Sequence, residues 1–92
     1  DAVVGTILTV NTATGTAERA AEMTRRHPEA IGEAMEGYGV AAAAQLADLP
    51  FAEVRAVSNL IGPRDRDAWR LDLALAALTA AARPIAEGLL AC

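Results

Sequence analysis

The stretch Val3-Val-Gly-Thr-Ile-Leu-Thr-Val10, with Asn11-Thr-Ala-Thr-Gly-Thr16 directly behind it, decides how this chain is read. Its first eight residues are β-branched and apolar with little polar alternation, the pattern of a strand covered on both faces in a parallel or mixed sheet. A central strand is expected. The next six residues are turn and cap chemistry. Beyond them Ala17, Ala20, Ala21 and Met23 recur at helical spacing, with Glu18 in the first turn and Arg25-Arg26 in the last. Acid at the amino end and base at the carboxyl end match the helix dipole.

His27-Pro28 ends that helix, and Ala30 to Met35 can form a short strand. Gly37 to Leu46 reads as a small-residue helix able to pack closely on a sheet, stopped by Pro50. Phe51 to Ser58 alternates and is β-capable through Val54 and Val57, and Asn59 to Asp65 is a Gly/Pro loop. From about Asp67, the residues Trp69, Leu71, Leu73, Leu75 and Leu78 mark a long helix, with Trp69 as its core anchor. A kink or break is expected at Pro84, whose ring removes the bond to Ala80. The predicted fold class is α/β, a layered mixed sheet with β-α-β-α-β-α order. Three strands so apolar leave an edge and a face uncovered. With no initiator methionine ahead of Val3, residues 1–92 are therefore expected to be the carboxyl-terminal part of a single larger domain.

Composition narrows the partners. A chain of 92 residues makes one domain at most and buries roughly two thirds of its unfolded surface. Apolar residues make up 53% and only three are aromatic, so Val, Ile and Leu must supply the bulk of any core. A net charge of −4 with no lysine argues against binding a phosphate backbone, where several cations must displace counterions. The apolar stretches are interrupted by Asp, Glu, Arg or Pro short of the ~20 residues of a membrane span. No signal peptide is evident, and Cys92, the one cysteine, allows no internal disulfide. The expectation is a cytoplasmic protein with neither nucleic acid nor membrane as partner. His27 has no histidine, cysteine or acid at ligand spacing, so it is read as solvent-facing and no metal site is expected. Arg55, inside the third expected strand, reads as a paired structural charge.

In sheets of this type ligands gather beyond the carboxyl ends of strands, where three loops qualify: Asn11–Thr16, Met35–Gly39 and Ser58–Arg66. Here Glu33-Ala-Met35-Glu36-Gly37 followed by Val54-Arg-Ala-Val-Ser58-Asn59 resembles the core of the nucleoside phosphorylase and nucleosidase superfamily. The resemblance implies a purine nucleoside as substrate, a nucleoside phosphorylase-like fold, no cofactor, and homo-oligomers as a common assembly. It gives Met35 the role of packing on the ribose and Glu36 that of accepting hydrogen bonds from its hydroxyls. Gly37 and Gly39 would let backbone approach closely. The string Ser58-Asn59-Leu-Ile-Gly62-Pro63-Arg64-Asp65-Arg66, with Ala68-Trp69-Arg70 behind it, is most similar to members that hydrolyse a hypoxanthine nucleoside in menaquinone synthesis.

Cleaving the glycosidic bond requires a donor toward N7 of the departing base, and Asn59 is the candidate. Relatives acting on adenine nucleosides carry aspartate there. An amide offers NH2 to both N7 and a 6-oxo group, which suits hypoxanthine. Arg64 or Arg66 is placed to engage a substrate carboxylate with two parallel bonds. The water-activating acid is expected in an amino-terminal segment of the same protein. Each assignment has a plainer competitor: Glu36 as a helix cap, Asn59 as a turn former, and the arginines as local ion pairs with Asp65, Asp67 or Asp72. Two other functions compete, a methylthioadenosine or adenosylhomocysteine nucleosidase, and a noncatalytic assembly module.

Overall fold

The computed structural model describes residues 2–90. Cys92 and the side chain of Arg66 lie outside the described residues. The elements run β1 (Thr6–Thr9), α1 (Ala17–Arg26), β2 (Ala30–Ala34), α2 (Gly37–Leu46), a 3-10 turn (Arg66–Ala68) and α3 (Leu71–Leu90). They fall into two compact units. Residues up to 53 with 61–64 make one, and residues 54–60 with those from 65 onward make the other.

In the first unit β1 and β2 pair in parallel, with Ile7 opposite Gly32, Leu8 opposite Glu33 and Thr9 opposite Ala34. The ladder continues one step further, the Val10 amide donating to the Ala34 carbonyl at 2.9 Å. Parallel strands need a crossover, and α1 supplies it. Its ends obey local rules: the Thr16 hydroxyl accepts from the Arg19 amide at 3.1 Å, Glu18 sits in the first turn, and Arg25 and Arg26 sit in the last. Glu22 accepts from Arg19 at 2.7 Å and from Arg26 at 3.3 Å, exposed pairs worth a few tenths of a kcal/mol each, by the usual ~0.3–0.5 kcal/mol for such spacing.

The small-residue helix α2 has the expected bounds, but Pro50 does not stop it. Asp48 does, with φ of 55°. Its amide donates to the Gln45 carbonyl at 3.1 Å and the Leu49 amide to that of Ala44 at 2.8 Å, the double closure of a left-handed helix end.

Three expectations are corrected. Residues 51–58 form no strand, so among the described residues the sheet has two strands, paired in parallel, and β1 is not central. β-Branched residues favour a pleated surface only when a neighbouring strand supplies ladder bonds, and among the described residues none does. Val54 and Val57 are instead exposed. The second correction concerns Pro84, where no break occurs: α3 runs on as one 20-residue helix. Ala80, Ala81 and Ala82 ahead of the proline are strong helix formers, which holds the turn where its ring costs a bond. The third concerns apolar length. α3 reaches a mean hydropathy of 1.4 and is, by length and composition alone, long enough to cross a bilayer. Core helices of soluble proteins pass the same test.

Burial is sparse. Ala74 on α3 is the one buried apolar residue among the described residues. Leu71, Leu73, Leu75, Leu89 and Leu90 are each more than half exposed, as are Val3 and Val4 ahead of β1. Trp69 is half-buried rather than a core anchor, and His27 is half-buried with Nδ1 3.8 Å from the Glu29 carboxylate.

Candidate functional site

Met35 and Glu36 occupy the step between the end of β2 and the first turn of α2, both exposed. Glu36 stands at the N-cap position of α2, yet its side chain makes no capping bond. Its Oε1 accepts from the Met35 amide at 3.2 Å. The cap comes from elsewhere: the Thr9 hydroxyl, at the end of β1, accepts from the Tyr38 amide at 2.9 Å. An orphan donor of the first helical turn is thus satisfied from the neighbouring strand. The plain reading of Glu36 as the helix cap therefore does not hold.

Gly37 lies close to an acid, the flexible end of a side chain that could turn away from a larger residue. A Cβ there would meet the Glu53 carboxylate, with Oε2 at 2.8 Å and Oε1 closer still. The acid lies against the positive end of α2, where a negative charge is stabilising. At Gly39 a Cβ would enter open space. Thr9, Asn11, Gly37, Tyr38, Phe51 and Glu53 line an open depression of about 450 Å³ in this unit.

A second cluster lies beside the first. Both oxygens of Glu33 are engaged by Thr14, Oε2 accepting from its amide at 2.8 Å and Oε1 from its hydroxyl at 2.7 Å. Thr14 is buried, and its carbonyl accepts from the Gly62 amide at 3.0 Å. Gly62 has φ of 120°, a conformation that side chains rarely adopt. Three segments, the β1–α1 loop, the end of β2 and the Gly62 turn, are thereby tied at one buried residue.

Arg64 is exposed and belongs to the same unit, in the segment following Gly62. Asp65 is occupied locally: its carboxylate accepts from the Asp67 amide and its carbonyl from the Ala68 amide, each at 3.1 Å, shaping the 3-10 turn.

Asn59 belongs to the second unit and is exposed. Its Oδ1 accepts from the Ser58 hydroxyl at 2.6 Å and its Nδ2 donates to the Leu60 carbonyl at 3.1 Å. These are the bonds of a turn former. Ser58 is anchored in turn by the Arg70 amide, which donates to its carbonyl at 2.7 Å and ties the segment to the start of α3. Among the described residues no group of His, Cys, Asp and Glu is arranged to hold a metal ion.

Sequence reasoning placed Met35, Glu36, Asn59 and Arg64 but assigned no role to Thr9, Thr14, Glu33 or Glu53. A signal for one of them existed. Glu33 is a carboxylate between Gly32 and Ala34 in a strand otherwise without charge, and a half-buried acid there requires donors.

The family model described as "Phosphorylase superfamily" matches residues 1–92. Among curated proteins, a futalosine hydrolase of Streptomyces coelicolor is 60% identical, the match covering 89% of this chain and 35% of that protein. A futalosine hydrolase of Acidothermus cellulolyticus is 55% identical, covering 86% of this chain and again 35% of the relative. The chain spans about a third of the length of these relatives. No solved structure matches it.

Proposed function

The chain belongs to the phosphorylase superfamily, and from that premise we propose that it serves a futalosine hydrolase, which breaks the N-glycosidic bond of futalosine and releases hypoxanthine for menaquinone synthesis. The observation that carries this reading is identity of 60% and 55% to two futalosine hydrolases across nearly the whole chain. Residues 1–92 then act with a further segment that brings the protein to the length of these relatives and supplies the water-activating acid. The uncovered leucines of α3 and the exposed Val54 and Val57 of segment 51–58, which forms no strand, support this, since both offer surface that a larger α/β layer would bury. In that layer 51–58 pairs as the third strand, completing the β-α-β-α-β-α order, and α3 is a core helix rather than a membrane span. The assembled enzyme is a cytoplasmic homo-oligomer.

The chemistry divides among four residues. Met35 packs on the ribose, and Glu36 accepts hydrogen bonds from its hydroxyls while supporting positive charge at the anomeric carbon as the bond breaks. That the α2 cap comes from Thr9 supports this, because capping does not consume the Glu36 carboxylate. Asn59 donates toward N7 and the 6-oxo group of the leaving base, exchanging its Leu60 contact for the substrate. Arg64 engages the carboxylate of the benzoate group.

The test is base release by the full-length gene product, followed by chromatography, from futalosine and from methylthioadenosine. Hypoxanthine release from the first alone supports the reading. Cleavage of the adenine nucleoside alone, or of neither, rejects it.

A further inference from the structure

We propose that Glu33 is a positioning residue for this hydrolysis: through Thr14 it fixes the β1–α1 loop and the Gly62 turn at the end of β2, two residues ahead of Met35. The proposal rests on the nucleosidase reading above. The contacts are specific. Each carboxylate oxygen takes one bond from the same residue, Oε2 from the Thr14 amide at 2.8 Å and Oε1 from its hydroxyl at 2.7 Å. Charge-assisted bonds of this length are the stronger class, and Thr14 is only 7% exposed, so water competes poorly. The Thr14 carbonyl then accepts the Gly62 amide at 3.0 Å, carrying the constraint to the segment that holds Arg64.

The arrangement tolerates few substitutes. Glutamine at position 33 would keep both contacts, its oxygen accepting from the Thr14 amide and its NH2 donating to the rotatable hydroxyl, whereas alanine removes both and aspartate would fall short by a methylene. Glu33 touches no reacting group in this scheme. It sets where the neighbouring loops stand when the nucleoside arrives, which bears on substrate capture more than on the bond-breaking step.

The experiment uses the full-length protein with Thr14→Val, Thr14→Ser and Glu33→Ala, measuring hypoxanthine release from futalosine and amide hydrogen exchange. Thr14→Val and Glu33→Ala are expected to raise KM about tenfold with kcat within about twofold, and Thr14→Ser to return KM to within about threefold of the parent. Exchange at the Thr14 and Gly62 amides should quicken at least about tenfold while the β1–β2 ladder amides hold. The proposal is overturned if Thr14→Ser fails to rescue, if kcat and KM leave the parent values together with every amide, or if KM is unmoved. Should the parent protein release no base from futalosine, the nucleosidase reading fails, and local exchange still judges whether Glu33 holds the two loops.

Discussion

Replacing Thr9 by valine and, separately, Glu36 by glutamine pulls apart two jobs that a helix start often combines. Thr9→Val keeps the shape of the side chain and removes the acceptor 2.9 Å from the Tyr38 amide. Tyr38 is exposed, so water recovers part of the loss, and the cost belongs near the middle of the N-cap range, about 1 kcal/mol of stability. Glu36→Gln retains an oxygen for the Met35 amide and leaves α2 its Thr9 cap, so stability should stay within about 0.5 kcal/mol. Its effect falls on the substrate. A hydrogen bond to a charged acceptor is worth about 1.5–3 kcal/mol, which corresponds to a drop of roughly 10- to 150-fold in kcat/KM. Urea unfolding followed by circular dichroism reads the first quantity, and futalosine turnover by the full-length enzyme reads the second. A reversed outcome, with Glu36→Gln unfolding the protein and Thr9→Val silent, would refute the assignment of cap to Thr9 and grip to Glu36.

Asn59→Ala should lower kcat by on the order of 100-fold, since single donors to developing charge contribute about 3 kcal/mol, while Asn59→Asp should shift preference toward 6-amino nucleosides by about 1–3 kcal/mol in relative kcat/KM. Equal loss on both base types would reject the amide's part in choosing the base. Gly62→Ala forces a side chain into φ of 120° and should cost at least about 1–2 kcal/mol, seen as a lower Tm. An unchanged Tm would show that the turn can relax. Arg64→Ala should raise KM for futalosine and leave KM for inosine, which has no carboxylate, unaltered; a parallel rise for both would assign Arg64 to structure instead.

Helix bounds were legible because their causes are local. Thr16, Glu18 and the Arg25-Arg26 pair each act within one turn of the helix they delimit, and the run from Gly37 to Leu46 contains nothing that breaks a helix. The candidate site was legible only in its identities. Met35 and Glu36 could be picked out by resemblance, but that Thr9 caps α2 depends on a contact across 29 positions, and that Glu33 holds Thr14 on one across 19. No periodicity encodes such pairs. The third strand is absent here for a related reason: Phe51 to Ser58 has the propensity, but a strand exists only where another backbone answers it. At Pro84 the absence of a break has the opposite cause, a local breaker outvoted by the alanines before it.

The parallel pairing of β1 with β2 also dictates how this region comes together in time. No hairpin can nucleate it, since every rung joins residues separated by the whole of α1, and closing so wide a loop costs entropy before any ladder bond repays it. Helix α1, able to form within its own span, is the natural early event, and the strands register behind it. Mutations that weaken the Thr16 cap should accordingly slow refolding more than they hasten unfolding, whereas changes at the Ala34–Val10 rung should do the reverse.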